Sequence, residues 1–355
     1  MSGLNRLSSE KAQALAEGLV IPAHPLALDA NRKLDERRQR ALTRYYAASG
    51  AGGIAVGVHS TQFEIRDKGI DLYEPVLRLA AEEVERAKLE RPFIMVAGVC
   101  GPTEQAVDEA HIARNLGYDA ALLSMGGLSD LSEEDILKRT EQIASIMPVI
   151  GFYLQPSVGG KIFSFDFWRQ FAEIPNIVAI KMAPFNRYQT IDVVRAVCYS
   201  SRRDDISLYT GNDDNIIIDL LTTYRFHVDG QIVEKPIIGG LLGHWAVWTS
   251  KAVELLEEIK QVRGGAIAPE WLIRNVEVTD SNAAFFDPAH QFHGCIPGIH
   301  EVLRRQGLLK GIWCLNPNET LSPGQSEEID RVCRDYPHLN DDDFVKEHLN
   351  DWLAE

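Results

Sequence analysis

From residue 18 onward, short apolar runs alternate with longer segments in which charged and apolar residues fall on separate faces. The apolar runs are "GLVIPAH" (18–24), "GGIAVGV" (52–58), "PFIMVAGV" (92–99), "YDAALLSM" (118–125), "PVIGFYLQ" (148–155), "NIVAIKMA" (176–183), "ISLYTGN" (206–212) and "PIIGGLLG" (236–243). They are continuous rather than alternating, the pattern of strands in a parallel sheet covered on both faces. Between them lie helix-like stretches such as 73–88, 102–117 and 132–146, with Ser132 and Pro102-Thr103 placed as helix starts. Eight such units over roughly 245 residues predict a (β/α)8 TIM barrel. A doubly wound open sheet is the alternative, but no G-x-G-x-x-G follows the first run.

After about residue 264 the rhythm changes to helices and loops without further strands. "IPGIHEVLRRQGL" carries an apolar stripe through Ile299, Val302, Leu303 and Leu308 or Leu309. The expected organisation is an N-terminal lead-in (1–17), the barrel (18–263) and a helical C-terminal extension (264–355) that covers the mouth or makes a subunit contact. The segment 227–236 reads as a loop or hairpin ahead of the eighth strand.

Composition narrows the function classes. The chain has 355 residues and a formal net charge of −15, against a nucleic-acid binder, which needs clustered cations. Five cysteines without C-x-x-C spacing suit reduced thiols rather than a disulfide frame or a zinc site. No apolar run is long enough for a membrane span, and the first residues lack the apolar core of a signal peptide, so a cytoplasmic protein is expected.

One residue breaks the apolar pattern. Lys181 stands inside "NIVAIKMA", where an unpaired ammonium is costly to bury. Burial lowers a lysine's pKa and makes the neutral amine available as a nucleophile towards a carbonyl. The resulting imine is an electron sink for breaking an adjacent C–C bond. Tyr153, one strand earlier, is the expected proton shuttle. Gly211 and Gly240, at the ends of the seventh and eighth strands, are positions where a ligand can approach the backbone. These residues describe a class I aldolase site. Lys161 and Lys235 have glycine- or charge-rich flanks and are expected to keep high pKa values. Asp213 and Asp214 read as caps of the following helix rather than metal ligands. His244 and Trp245 line the mouth or pack in the core, and His290, His293 and His300 read as structural.

"GFYLQP" followed by "IVAIKMA", with 28 residues from Tyr153 to Lys181, resembles the paired tyrosine (Y-N-x-P) and lysine (G-x-K) motifs of the dihydrodipicolinate synthase / N-acetylneuraminate lyase family. "YTGNDD" is similar to that family's G-x-D-D. The resemblance covers residues 18 to about 260 and implies pyruvate or a related 2-oxo acid on Lys181. It also implies an aldehyde-type co-substrate, a homo-oligomer (dimer or tetramer), and neither a metal nor an organic cofactor. The family's G-T-T-G-E turn is replaced here. His59 stands for the first threonine and takes up proton transfer, while Ser60 and Thr61 bind the carboxylate. Gly126 and Gly127 stand where a relay tyrosine is usual, leaving volume for a larger or less polar acceptor. Val158 replaces the arginine that binds a second carboxylate, against dihydrodipicolinate synthesis itself. Two alternatives remain open: a sugar-acid dehydratase using the same imine, and a barrel that binds a 2-oxo or sugar acid without catalysis.

Overall fold

The computed structural model describes residues 5–354, so the first four residues of the lead-in lie outside the described residues. The strands are β1 (Val20–Pro22), β2 (Gly53–Val56), β3 (Ile94–Val99), β4 (Ala120–Ser124), β5 (Val149–Leu154), β6 (Ile177–Ala183), β7 (Ser207–Thr210), β8 (Thr223–Val228), β9 (Gln231–Pro236) and β10 (Gly239–Leu242). Eight of them form one parallel sheet in the order β1-β10-β7-β6-β5-β4-β3-β2. A bridge from Ala23 to Ala55 brings the two ends together. All eight apolar runs of the sequence are barrel strands, and the fold is the expected (β/α)8 barrel with C-terminal helices.

The strands sort their side chains into two layers. Ile21, Ala55, Val96, Leu122, Ile150 and Ala179 fill the barrel interior, while Val56, Ala97, Leu123, Tyr153, Ile180 and Met182 face the helices. Local chemistry sets the helix starts. Ser132, Ser164 and Asn186 each accept a backbone N–H from the first turn of the helix that follows, at Glu133–Ile146, Phe165–Glu173 and Arg187–Cys198. The 227–236 segment is a hairpin whose first strand begins earlier than expected, at Thr223. Asp229 and Gly230 both take positive φ at its turn (48° and 78°), the two-residue geometry that matches strand twist.

The two ends of the barrel are closed differently. At the N-terminal end, helix Ser9–Glu17 contributes Leu15 to the interior, and the Tyr209 hydroxyl donates to the Leu15 carbonyl at 2.8 Å. At the C-terminal end, helices Glu270–Phe286 and Cys295–Arg305 and the connection between them bring Phe286, Phe292, Cys295 and Ile299 over the barrel mouth. The extension therefore covers the mouth. Its last helix, Asp342–Trp352, is tied to the barrel's flank through Tyr45, whose hydroxyl donates to buried Asp341 at 2.8 Å.

Candidate active site

Lys181 is 7% exposed and projects into a small pocket of about 80 Å³ at the C-terminal end of the barrel. Its neighbours follow from strand register. Ser124 pairs with Phe152, Phe152 with Lys181, and Lys181 with Tyr209, so these four residues share the inner face. The ammonium lies 4.3 Å from the centroid of the Phe152 ring, a cation–π contact. Burial lowers the pKa of Lys181, and a nearby carboxylate, Asp213, opposes the shift.

Tyr153 is not in this pocket. Val149 pairs with Ile177, but Ile150 pairs with Ala179, so Val178 is an extra residue in β6. A one-residue bulge exchanges the two faces of every later pair. Without it, Tyr153 would stand opposite Lys181; with it, Phe152 does. Tyr153 packs instead against Phe163 and Trp168 in the helical layer, at ring separations of 6.0 and 5.0 Å. Its hydroxyl is buried at the Phe163 backbone without a hydrogen bond of ordinary geometry. Tyr209 shares the inner face, but its hydroxyl is held by Leu15 and by the Leu19 amide. No phenol lines the pocket. Tyr153→Phe is therefore expected to leave turnover unchanged and to hold or slightly raise Tm, since a buried hydroxyl without a partner only costs desolvation. A loss of turnover of about tenfold or more would return this phenol to the proton-transfer path.

Asp213 lies in the Lys181 pocket, not at the helix start where the sequence placed it. It is not a helix cap: helix Ile216–Leu221 begins after Asn215, and Asp214 is exposed. Asp213 lines the Lys181 pocket and accepts the His244 amide at 3.1 Å. Burial raises its carboxyl pKa, while the His244 amide and the charge of Lys181 oppose the shift. Burial thus pushes the amine down and the acid up, and the two titrations converge. The doublet "GNDD" was visible in the sequence, but nothing there distinguished a cap from a carboxylate in the Lys181 pocket.

The turn after β2 is split between chemistry and scaffolding. His59 and Ser60 line the pocket. Burial and then the charge of Lys181 lower the His59 pKa to about 4. The imidazole is therefore neutral near pH 7, not poised to titrate there as the sequence suggested. The Ser60 hydroxyl makes only a long contact of 3.4 Å to the His24 carbonyl. Thr61 is fully committed elsewhere: it donates to the same carbonyl at 2.7 Å and accepts the Gly57 and Val58 amides at 3.0 and 3.2 Å. It closes the turn and offers nothing to a carboxylate.

The glycines divide in the same way. A Cβ on Gly211 would lie 2.5 Å from Lys181 Cε, so Gly211 does make room for the lysine. Gly240 faces outward, where a Cβ would meet the Trp245 ring at 2.6 Å. It is a packing position, and Trp245 belongs to the core. Gly126 and Gly127 open onto a separate cleft of about 950 Å³ that shares Leu154 and Val158 with the Lys181 pocket. The volume they free therefore lies beside the pocket rather than in it. His244 is buried and stacks on Phe285, with ring centroids 6.1 Å apart. His290 pairs with Asp287, and His300 is buried in helix Cys295–Arg305. The competing lysines lie elsewhere: Lys161 donates to the Leu131 carbonyl and Lys235 to that of Arg203. Burial does lower the Lys235 pKa, contrary to expectation, because its hairpin packs against the helical layer.

The family model described as the dihydrodipicolinate synthetase family matches residues 17–228, ending ahead of β10 and of the helices that cover the pocket. A 4-hydroxy-tetrahydrodipicolinate synthase from Alkaliphilus oremlandii is 27% identical over 165 residues, 46% of this chain and 53% of the relative. An N-acetylneuraminate lyase from Citrobacter koseri is 26% identical over 205 residues, 57% of this chain and 65% of the relative. The chain thus aligns with between 53% and 65% of the length of these relatives. Among solved structures, dihydrodipicolinate synthase from Oceanobacillus iheyensis matches with a TM-score of 0.71 and 16% identity, covering 92% of this chain and 99% of its own. CdNal from Clostridium difficile in complex with mannosamine matches with a TM-score of 0.69 and 18% identity, covering 90% and 99%. These structural likenesses carry the fold, and the family model spans more than half of the sequence: the chain belongs to the dihydrodipicolinate synthetase family.

Proposed function

We propose that the protein is a Schiff-base lyase or aldolase that makes or breaks a C–C bond beside the carbonyl of a 2-oxo acid, with Lys181 as nucleophile. The observation that carries this reading is that one amine and one carboxyl, Lys181 and Asp213, line the same small pocket without touching, where burial drives their pKa values together. Such a pair reaches its neutral form, amine plus carboxylic acid, at little cost. The neutral form is the reactive one.

In the cleavage direction the Lys181 amine attacks the 2-oxo carbon, and the carbinolamine hydroxyl leaves as water with a proton from Asp213. The Asp213 carboxylate then takes the proton of the hydroxyl on C4. The C3–C4 bond breaks, its electron pair enters the iminium to give an enamine, and an aldehyde departs. Protonation of C3 and hydrolysis release the acid and restore Lys181. The Phe152 ring face stabilises the iminium cation. The Ser60 hydroxyl, held only by its long contact to the His24 carbonyl, receives the carboxylate. Neutral His59 holds a hydrogen bond to the substrate rather than supplying an imidazolium proton. The electron sink is the imine itself, so this chemistry calls for no further group.

Intact mass after incubation with pyruvate and sodium borohydride tests the reading, with Lys181→Ala alongside. A gain equal to the reduced pyruvyl adduct, absent from the variant, is expected. No adduct with pyruvate or with other 2-oxo acids would sink it and leave a barrel whose lysine is only a buried charge. With an adduct in hand, the products of turnover separate aldol cleavage from dehydration.

A further inference from the structure

We infer that the aldehyde half of the substrate is an uncharged aromatic aldehyde, held against phenylalanine rings under the C-terminal cap; this rests on the imine reading above. Beyond the groups around Lys181, the pocket wall is formed by Phe152, Leu154, Phe185, Phe286, Phe292 and Ile299. Lys181 is the only lysine or arginine lining it. Once Lys181 is an iminium, its charge is balanced by the carboxylate of the 2-oxo acid, and no cation is left for a second carboxylate or a phosphate. Apart from Lys181, Asp213, His59, Ser60 and the weakly bonding Cys295 thiol, Gln155 is the one polar side chain on the wall among the described residues, so a polyhydroxylated aldehyde would bury hydroxyls with few partners. Four phenyl rings instead offer the edge and face contacts that an aromatic guest prefers.

The dimensions say how such a guest is admitted. A cavity of about 80 Å³ holds a small acid but not the acid and an aromatic aldehyde together. Phe292 and Phe185 meet across the mouth with ring centroids 5.7 Å apart at 64°. Phe185 is the fixed side, its amide donating to buried Asn212 at 3.1 Å. Phe292 is carried on a connection in which Asp287, Gln291 and Phe292 itself all hold left-handed φ values of 54°, 57° and 65°. Three non-glycine residues in that region within six positions are strained. Moving Phe292 aside opens the space between the two rings. In the synthetic direction, C3 of the enamine attacks the aldehyde carbon and forms the C–C bond. The aldehyde oxygen takes the Asp213 proton to become a hydroxyl, and water then frees the 2-oxo product from Lys181.

The test offers the full-length protein pyruvate together with benzaldehyde, N-acetylmannosamine or succinic semialdehyde, and runs the borohydride trap in parallel. Benzaldehyde is expected to be consumed with kcat/KM at least about tenfold above the other two. Phe292→Ala is expected to raise the KM for benzaldehyde by about tenfold, the loss of one aromatic contact. A pyruvate adduct with preference for the polyol or the semialdehyde, or with no aldehyde consumed, overturns the aromatic assignment and leaves the imine standing. Absence of the adduct overturns both.

Discussion

Asp213→Asn is expected to lower turnover by roughly 10²–10⁴-fold, the usual worth of a positioned general acid or base. The substitution is nearly isosteric, and asparagine can still accept the His244 amide through Oδ1, so the fold should be undisturbed. What disappears is the proton that leaves with the carbinolamine hydroxyl and returns from the aldol hydroxyl. A second readout separates this role from simple damage. The Asp213 charge raises the Lys181 pKa against burial, so removing it lets the lysine pKa fall further. Only the neutral amine attacks pyruvate. The wild-type rate of adduct formation should therefore rise with pH as the amine loses its proton and fall again as Asp213 loses its own, while the variant keeps only the rise, moved to lower pH. Trapping rates measured across pH 5 to 10, beside steady-state turnover, check both statements. Turnover within about tenfold of wild type, or an unmoved trapping profile, would make Asp213 a bystander.

Gly211→Ala is expected to slow adduct formation by about 10²-fold, the penalty for displacing a reacting group by about 1 Å. Gly211 does not have a positive φ, so the effect is steric rather than conformational. The new methyl would sit 2.5 Å from Lys181 Cε and 2.9 Å from the Ala183 Cβ. β6 is buried and paired on both sides, so the flexible lysine stem yields and carries the amine away from its carbonyl. Adduct formation and thermal melting, measured together, distinguish a displaced nucleophile from an unfolded barrel. A variant that traps pyruvate at the wild-type rate would show that the stem has another route to the same position.

Much of this protein is legible without coordinates. Eight continuous apolar runs at barrel spacing name the architecture, because a strand covered on both faces has no use for polar residues except where chemistry demands one. The same argument isolates Lys181: a cation inside "NIVAIKMA" is costly enough to need a reason. His59, Ser60 and Gly211 are also found from the strand ends, since a strand's C-terminal end and the following turn must lie at the barrel mouth.

What failed did so where side-chain direction, rather than position along the chain, decides. Residue spacing counts along one strand, but facing is settled by pairing with the next. The extra residue at Val178 turns Tyr153 out to Trp168 and brings Phe152 to the lysine, with the spacing of 28 intact. Thr61 and Gly240 fail for the same reason, the first satisfied within its own turn and the second turned towards Trp245. Asp213 became visible only when the pairing of β6 with β7 set the residues after β7 beside Lys181, at a depth that perturbs both groups. The sequence alone determined the barrel and singled out its buried lysine, because burying a strand is a local requirement that each segment must meet by itself. Tertiary structure alone decided which carboxyl lies beside that lysine and which rings enclose it, because both depend on register and on the docking of helices far along the chain.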